Sequence, residues 1–158
     1  MEHRVEILRK HIDQLIQNNQ RGAYWYIERH MLAVSSFAAM LAMKRNLNAE
    51  IATMIGLLHD IHTLLTDDHD NHTRLGSVRA REILSDLQIV SDEELELICT
   101  AIAHHSTKNG VHDPYSELAK DADVLSHYFF NTSLPIIEGE ERRLAQLFDE
   151  IGLQGEKR

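Results

Sequence analysis

The sequence predicts an all-α fold, a compact bundle of about six to seven helices, and three observations predict it. Apolar residues recur at helical spacing along nearly the whole chain, the few breakers fall between the periodic segments, and capping residues stand where those segments start and stop. A first amphipathic helix is predicted over about residues 3–18, with Val5, Leu8, Ile12, Leu15 and Ile16 on one face; the polar stretch NNQRG ends it. The second, about residues 23–45, carries His30, Val34, Phe37 and Leu41 on one stripe, after which Asn46 and Asn48 supply a break and an N-cap. Trp25, between Tyr24 and Tyr26, is expected to pack near its start rather than to stack a base. The third, about residues 49–65, aligns Ile51, Ile55 and His59, and its segment 54–58 is apolar on nearly all sides, the pattern of a central buried helix.

An acidic loop, TDDHDN, leads to a fourth helix over about residues 72–87, with Leu75, Val78 and Leu87 near one apolar face and Gly76 allowing close packing. Ser91 followed by Glu94 is a capping-box signature for a fifth, with Leu95, Ile98 and Ile102 inward, which runs to the turn Lys108-Asn109-Gly110. A sixth, about residues 115–131, puts Leu118, Ala122 and Leu125 on one side. Pro135 marks the loop before the last helix, about residues 140–151, with Gly152 as its C-cap, and residues 154–158 are expected to fray. No repeat or low-complexity tract divides the chain, so one domain is expected over 1–158, with its motif-bearing core at about 23–131.

A chain of about this length can bury roughly 68–70% of its unfolded surface, enough for a core without disulfides or structural zinc. The single cysteine, Cys99, excludes an internal disulfide. The start, MEHRVEILRK, lacks the pattern of a secretory signal. The longest apolar run, residues 37–43, is seven residues, against the roughly 20 a bilayer-crossing helix needs. A cytoplasmic protein without membrane attachment is expected. The formal charge of −9 opposes binding to nucleic-acid polymers and acidic membranes, whereas a small anionic substrate stays compatible because divalent cations invert the local sign. Eleven histidines point to metal or proton chemistry.

His59 and Asp60 end the most apolar segment, IGLL. An unpaired carboxylate is costly to bury, so Asp60 should be paired with an Arg or His, or lie on a metal. Adjacent helical residues diverge by about 100°, so both could grip one ion only if it lay between their directions. His30 alone reads as a satisfied core histidine, and Asp123, in KDADVL, as the partner of Lys120 or His127. The set changes the balance: one His, a His-Asp pair 29 and 30 residues later, and an Asp 63 residues beyond that, each inside a predicted helix.

With His30, His59-Asp60 in LLHDI and Asp123 in DADVL, the sequence resembles the HD superfamily of metal-dependent phosphohydrolases, from about His30 to His127. The resemblance implies that these four residues hold a divalent metal at the centre of a helical bundle. In branches that hold two metals, positions similar to His72, in HTRLG, and to His104 and His105, in AIAHHS, complete a second site, with the HD aspartate bridging. The alternative for His104 and His105 is interaction with the dipole of a helix C-terminus. Imidazoles and carboxylates without thiolates suit Mn, Fe or a similar ion, with Zn, Co, Ni or Mg also compatible. Many members carry Lys or Glu three positions after the HD aspartate, and here that position is Thr63. His62, beside it, is a candidate replacement in acid-base work, set against an ordinary exposed helical histidine. Lys108, and more distantly Arg79, could meet a substrate phosphate, while His69 with Asp67, Asp68 and Asp70 reads as a solvated loop or a rim of the site.

The resemblance thus implies a hydrolase of a small phosphate ester or anhydride, nucleotide-like, acting by attack of metal-bound hydroxide; Asp60 and, on the reading of the residues themselves, His62 and Lys108 are its catalytic candidates. The alternative is a non-catalytic metal-containing module that binds a nucleotide or other anionic signal, supported by Thr63; a metal-free helical adaptor is the third. An exposed apolar stripe on the first or last helix could pair two copies as a homodimer.

Overall fold

The computed structural model describes residues 3–19 and 25–154, in which eight α-helices and no strands are found. They are α1 (Arg4–Asn18), α2 (Trp25–Lys44), α3 (Ala49–Leu58), α4 (Ile61–Thr66), α5 (His72–Leu87), α6 (Asp92–His104), α7 (Pro114–Phe130) and α8 (Glu141–Ile151). Ala23 and Tyr24, at the expected start of the second helix, and residues 155–158 lie outside the described residues. No described helix is long and apolar enough to cross a membrane.

The capping signals act where the sequence places them. The Asn48 side chain accepts from the Glu50 and Ile51 amides at the start of α3, Ser91 and Glu94 form the reciprocal capping box of α6, and Gly152 closes α8 at φ +81°. Asp113 caps α7 with Pro114 in its first turn.

Three expectations need correction. The helix predicted over 49–65 is two helices, because Asp60 leaves helical geometry at φ −111°, ψ 21° and restarts the chain as α4. The break re-aims the chain between two adjacent residues and so removes the divergence a continuous helix would impose on them. The fifth predicted helix stops at His104, before the Lys108-Asn109-Gly110 turn. On α5 the buried row is Gly76, Ala80, Ile83 and Leu84, and Val78 is exposed. Glycine and alanine carry little hydropathy, so the true face is muted in the sequence.

The core has two parts. Leu8 and Ile12 of α1 meet Ile55, Leu58, Leu64, Leu84 and Ile102 in one, while Val34, Leu41, Leu118, Leu125, Leu144 and Leu147 form the other. Helix α3 serves both, through Ile51 and Ile55 in the first and Ala52 in the second, and its C-terminal end carries His59 and Asp60.

A buried ionic network fastens the loop between α6 and α7. Lys120 is fully buried, and its ammonium donates to Gly110 O (2.8 Å), His112 Nδ1 (2.6 Å) and Glu117 Oε1 (2.6 Å). Arg143 of α8 joins Glu117, Asp121 and the Lys108 carbonyl, and Arg45 joins Asp121 to Glu150. Burial pushes the Glu117 carboxyl up, and the Lys120 and Arg143 cations outweigh it, holding it at about 2. Its contribution to stability is therefore complete above its ordinary value and is lost as pH falls towards 2. Glu117→Gln leaves a buried ammonium without its carboxylate and should cost about 3 kcal/mol, read by urea unfolding at neutral pH. The wild-type advantage over that variant should shrink steadily as the pH is lowered through about 4, the ordinary carboxylate range.

Candidate metal centre

Five helical segments aim side chains at one point. Helix α2 supplies His30, the α3–α4 break His59 and Asp60, the start of α5 His72, the residue after α6 His105, and α7 Asp123 and His127. The break lets the adjacent His59 and Asp60 converge, with His59 Nε2 3.3 Å from Asp60 Oδ2. His30 Nε2 lies 2.9 Å from Asp123 Oδ1 and 3.1 Å from His59 Nε2. On the other side of Asp60, Oδ1 faces His105 Nε2 at 3.4 Å and His72 Nε2 at 3.8 Å. Three groups have ligand atoms within 4.8 Å of one another: His30 with His59 and Asp60, His30 with Asp123 and His127, and Asp60 with His72 and His105. Asp60 belongs to the first and the last, so one carboxylate stands between two sets of imidazoles.

The outer hydrogen bonds fix which nitrogen of each ring faces inward. Nδ1 of His59 donates to Gly56 O (2.7 Å), that of His105 to Ile102 O (2.7 Å) and that of His72 to His69 O (2.9 Å). Nδ1 of His127 donates to the buried Glu140 carboxylate (3.0 Å), and His30 Nδ1 meets the Ser126 hydroxyl (2.9 Å). A carbonyl can only accept, so the rings of His59, His72 and His105 carry a proton on Nδ1 and, when neutral, turn a bare Nε2 lone pair to the centre. The centre is then a set of acceptors facing acceptors, which protons or a cation must satisfy. Outward-bonded imidazoles with Nε2 converging on carboxylates are the arrangement metal-binding histidines adopt, and the oxygen and nitrogen donors fit a first-row divalent ion.

Protein charges bear on the same point. Burial pulls the His59 imidazole down, and the Asp60 and Asp123 carboxylates outweigh it, lifting it to about 9. Burial alone would raise Asp60 and Asp123, but the surrounding imidazoles, and Lys108 for Asp123, hold both well below the ordinary carboxylate range. The Lys108 ammonium lies 2.5 Å from Asp123 Oδ2 and also donates to His105 O. It is therefore turned into the cluster.

Other candidates stand elsewhere. His104, next to His105 on the helix, points about a quarter-turn away; its Nδ1 meets Ser116 Oγ at 3.1 Å and its ring stacks on His112 at 3.9 Å. His62 is largely buried rather than exposed, with Nε2 3.6 Å from Asp68 Oδ2, and it joins none of the three groups. The Thr63 hydroxyl donates to Asp68 O beneath the same loop. Arg79 is exposed and pairs with Glu82. His127 and Glu140 are the residues that sequence reasoning missed. His127 had a signal, since it follows Asp123 by four positions and so shares its face of α7. Glu140 had none, for it reaches the site only because residues 131–140 fold back along α7.

A family model for the HD domain matches residues 27–128. The chain is similar to a Ribonuclease Y of Thermus thermophilus, with 29% identity over 99 residues, 62% of this chain and 16% of that protein. It is also similar to the Ribonuclease Y of Lawsonia intracellularis, with 27% identity over 135 residues, 83% of this chain and 24% of that protein. The chain thus spans a quarter or less of the length of these relatives. No solved structure matches it. HD domains bind divalent metals and make up a superfamily of metal-dependent phosphohydrolases, and on the match across residues 27–128 this chain belongs to the HD domain family.

Proposed function

We propose that the protein is a metal-dependent phosphohydrolase acting on a small, nucleotide-like phosphate ester or anhydride. The observation that carries this reading is the convergence of inward-facing Nε2 atoms on Asp60 and Asp123, each ring held by an outward bond. In this reading His30, His59 and Asp123 would hold one ion with His127 beside them, His72 and His105 would hold a second, and Asp60 would be shared between the two. Divalent ions so held supply Lewis-acid polarisation of a phosphoryl oxygen and lower the pKa of a water towards neutrality. The chain's own part is to keep the rings in one tautomer, to hold the carboxylates ionised, and to present the Lys108 ammonium to a phosphate oxygen. His62 and His104 stand outside the reading because neither reaches the cluster. Mn or Fe is the favoured ion, with Zn, Co, Ni or Mg compatible.

Elemental analysis of the purified protein, with phosphate release from mononucleotides, nucleoside polyphosphates and short oligoribonucleotides, tests it. The oligoribonucleotides belong there because the relatives are named as ribonucleases. One or two divalent ions per chain and release from a member of the panel are expected; no ion and no release overturns the reading. His105→Ala should empty a site that His104→Ala leaves filled. Glu140→Gln, which weakens the acceptor behind His127, should reduce metal affinity by roughly 10–100-fold, measured by chelator competition.

A second reading, a module that binds a nucleotide without turning it over, is favoured by Thr63. That side chain is buried and its hydroxyl is engaged, so the position offers no acid or base. A nucleotide that raises the melting temperature of the metal-loaded protein and is recovered intact would select it.

A further inference from the structure

Beside the candidate metal centre lies a hollow of about 240 Å3 between α2 and α7. Phe37, Phe129 and Phe130 wall it, Ala33 and Ser126 also line it, and His30 forms one edge. The Phe37 and Phe129 rings stack at 5.7 Å, and Phe130 meets Tyr26 edge to face at 5.4 Å. Most of these rings are not core: Phe130 is 61% exposed, Tyr26 48% and Phe129 40%. Trp25, expected to pack, is also exposed, and the Arg29 guanidinium lies 5.1 Å over its ring. Aromatic surface left open to water at this density marks a contact site.

What selects the occupant is His30. It lines the hollow, and its Nε2 lies 2.9 Å from Asp123 in the cluster, so hollow and centre share one imidazole as their partition. His30 is thus the side chain through which a ligand filling the hollow adjoins the cluster. The hollow is too small for a folded peptide segment, three of its lining side chains are phenyl rings, and the cation that lines it, Arg29, suits a sugar or phosphate oxygen. A planar apolar ring joined to a phosphate meets all three conditions.

We propose that this hollow takes the nucleobase of a nucleotide whose phosphate is presented to the metal centre. The inference rests on the phosphohydrolase reading for where the phosphate goes, but base binding can be measured apart from turnover. The base comes either from a free mononucleotide or from the end of an oligoribonucleotide, and the chemistry in the hollow is the same for both.

The chain's one tryptophan, Trp25, is the reporter. Manganese-loaded protein is titrated with adenosine, adenosine 5′-monophosphate, ribose 5-phosphate and the dinucleotide pApA while its fluorescence is followed. The two adenosine compounds are expected to change the signal saturably, with the monophosphate the tighter, and ribose 5-phosphate to bind at least tenfold more weakly than adenosine 5′-monophosphate. Removing one stacking ring costs roughly 5- to 100-fold per base, so Phe130→Leu should weaken adenosine 5′-monophosphate by about that factor, and Phe130→Trp should restore it. Metal content and melting temperature of both variants report on folding. Tighter binding of pApA than of the mononucleotide assigns the base to a polymer end, and equal binding to a free nucleotide. The proposal is overturned if adenosine leaves the signal unmoved, or if Phe130→Leu weakens ribose 5-phosphate as much as adenosine 5′-monophosphate. It is also overturned if Phe130→Leu converts a dimer to a monomer with nucleotide binding intact, which makes the hollow an interface between copies. Base-dependent binding without phosphate release leaves this inference standing and removes the hydrolase reading, and release indifferent to the base does the reverse.

Discussion

Asp60→Asn is expected to deprive the protein of metal while leaving it folded. The side chain keeps its shape, so the packing at the α3–α4 break survives. What changes is charge: Asp123 is already paired with the Lys108 ammonium, so without Asp60 the cluster's carboxylate and ammonium together offer a divalent ion no net negative charge. An amide nitrogen also adds donors among the inward Nε2 atoms, satisfying the lone pairs an ion would otherwise use. Because Asp60 belongs to two of the ligand groups, both should empty together. Metal content should approach zero, and phosphate release should fall by more than the roughly 10–100-fold that loss of an outer partner costs. The metal-free variant should melt close to the metal-free wild type. If Asp60→Asn retains its full complement of ions, Asp60 is not the bridge.

Gly56→Ala carries the second large effect, and here the loss is of stability. A Cβ on Gly56 would lie within 2.3 Å of Ser35 Cα and 2.5 Å of Ser35 N, inside the contact between α2 and α3. Those are backbone atoms, so no rotamer change relieves the clash and the helices must part. Overpacking in a core costs about 1–3 kcal/mol, occasionally more, and this site belongs at or above the upper end. The effect should also reach the candidate metal centre, because Gly56 O accepts the bond that orients His59, while α2 carries His30. A lower urea midpoint and a weaker metal affinity should appear in the same variant. Gly76→Ala is the control. Its Cβ would come no closer than 3.4 Å to its nearest neighbour, the His59 carbonyl oxygen, and should be tolerated far better.

Those two glycines show where the sequence was legible. Gly76 attracted notice because it interrupts a periodic helix, whereas Gly56 hides in IGLL, where a small residue among large ones reads as another apolar position. The close approach is a property of α2 against α3, and no local pattern encodes it. The same distinction runs through the site. His30, His59, Asp60, His72, His105 and Asp123 could be brought together on paper because their order and spacing resemble a known arrangement, and the structure places their ligand atoms together. His104 could not be told from His105, since adjacency in sequence says nothing about which of two neighbours faces inward. The break at Asp60 was invisible because apolar periodicity continues across it into Ile61 and Leu64, both buried. Glu140 enters only through the return of residues 131–140, a long-range event with no signature in the chain.

The five segments that meet at the centre have a consequence for the unfolding reaction. Residues 30, 59–60, 72, 105 and 123 are separated by 29, 12, 33 and 18 positions, so an ion pair held by them would close four successive loops. In the unfolded chain each closure carries an entropic cost that rises only slowly with loop length, and the folded bundle has already met it. Ion affinity and folding free energy would then be one linked quantity, with a melting temperature that climbs with the logarithm of free metal concentration. Chelator would lower the melting temperature of such a protein while leaving it folded at ordinary temperature, and the ion would act as a removable crosslink.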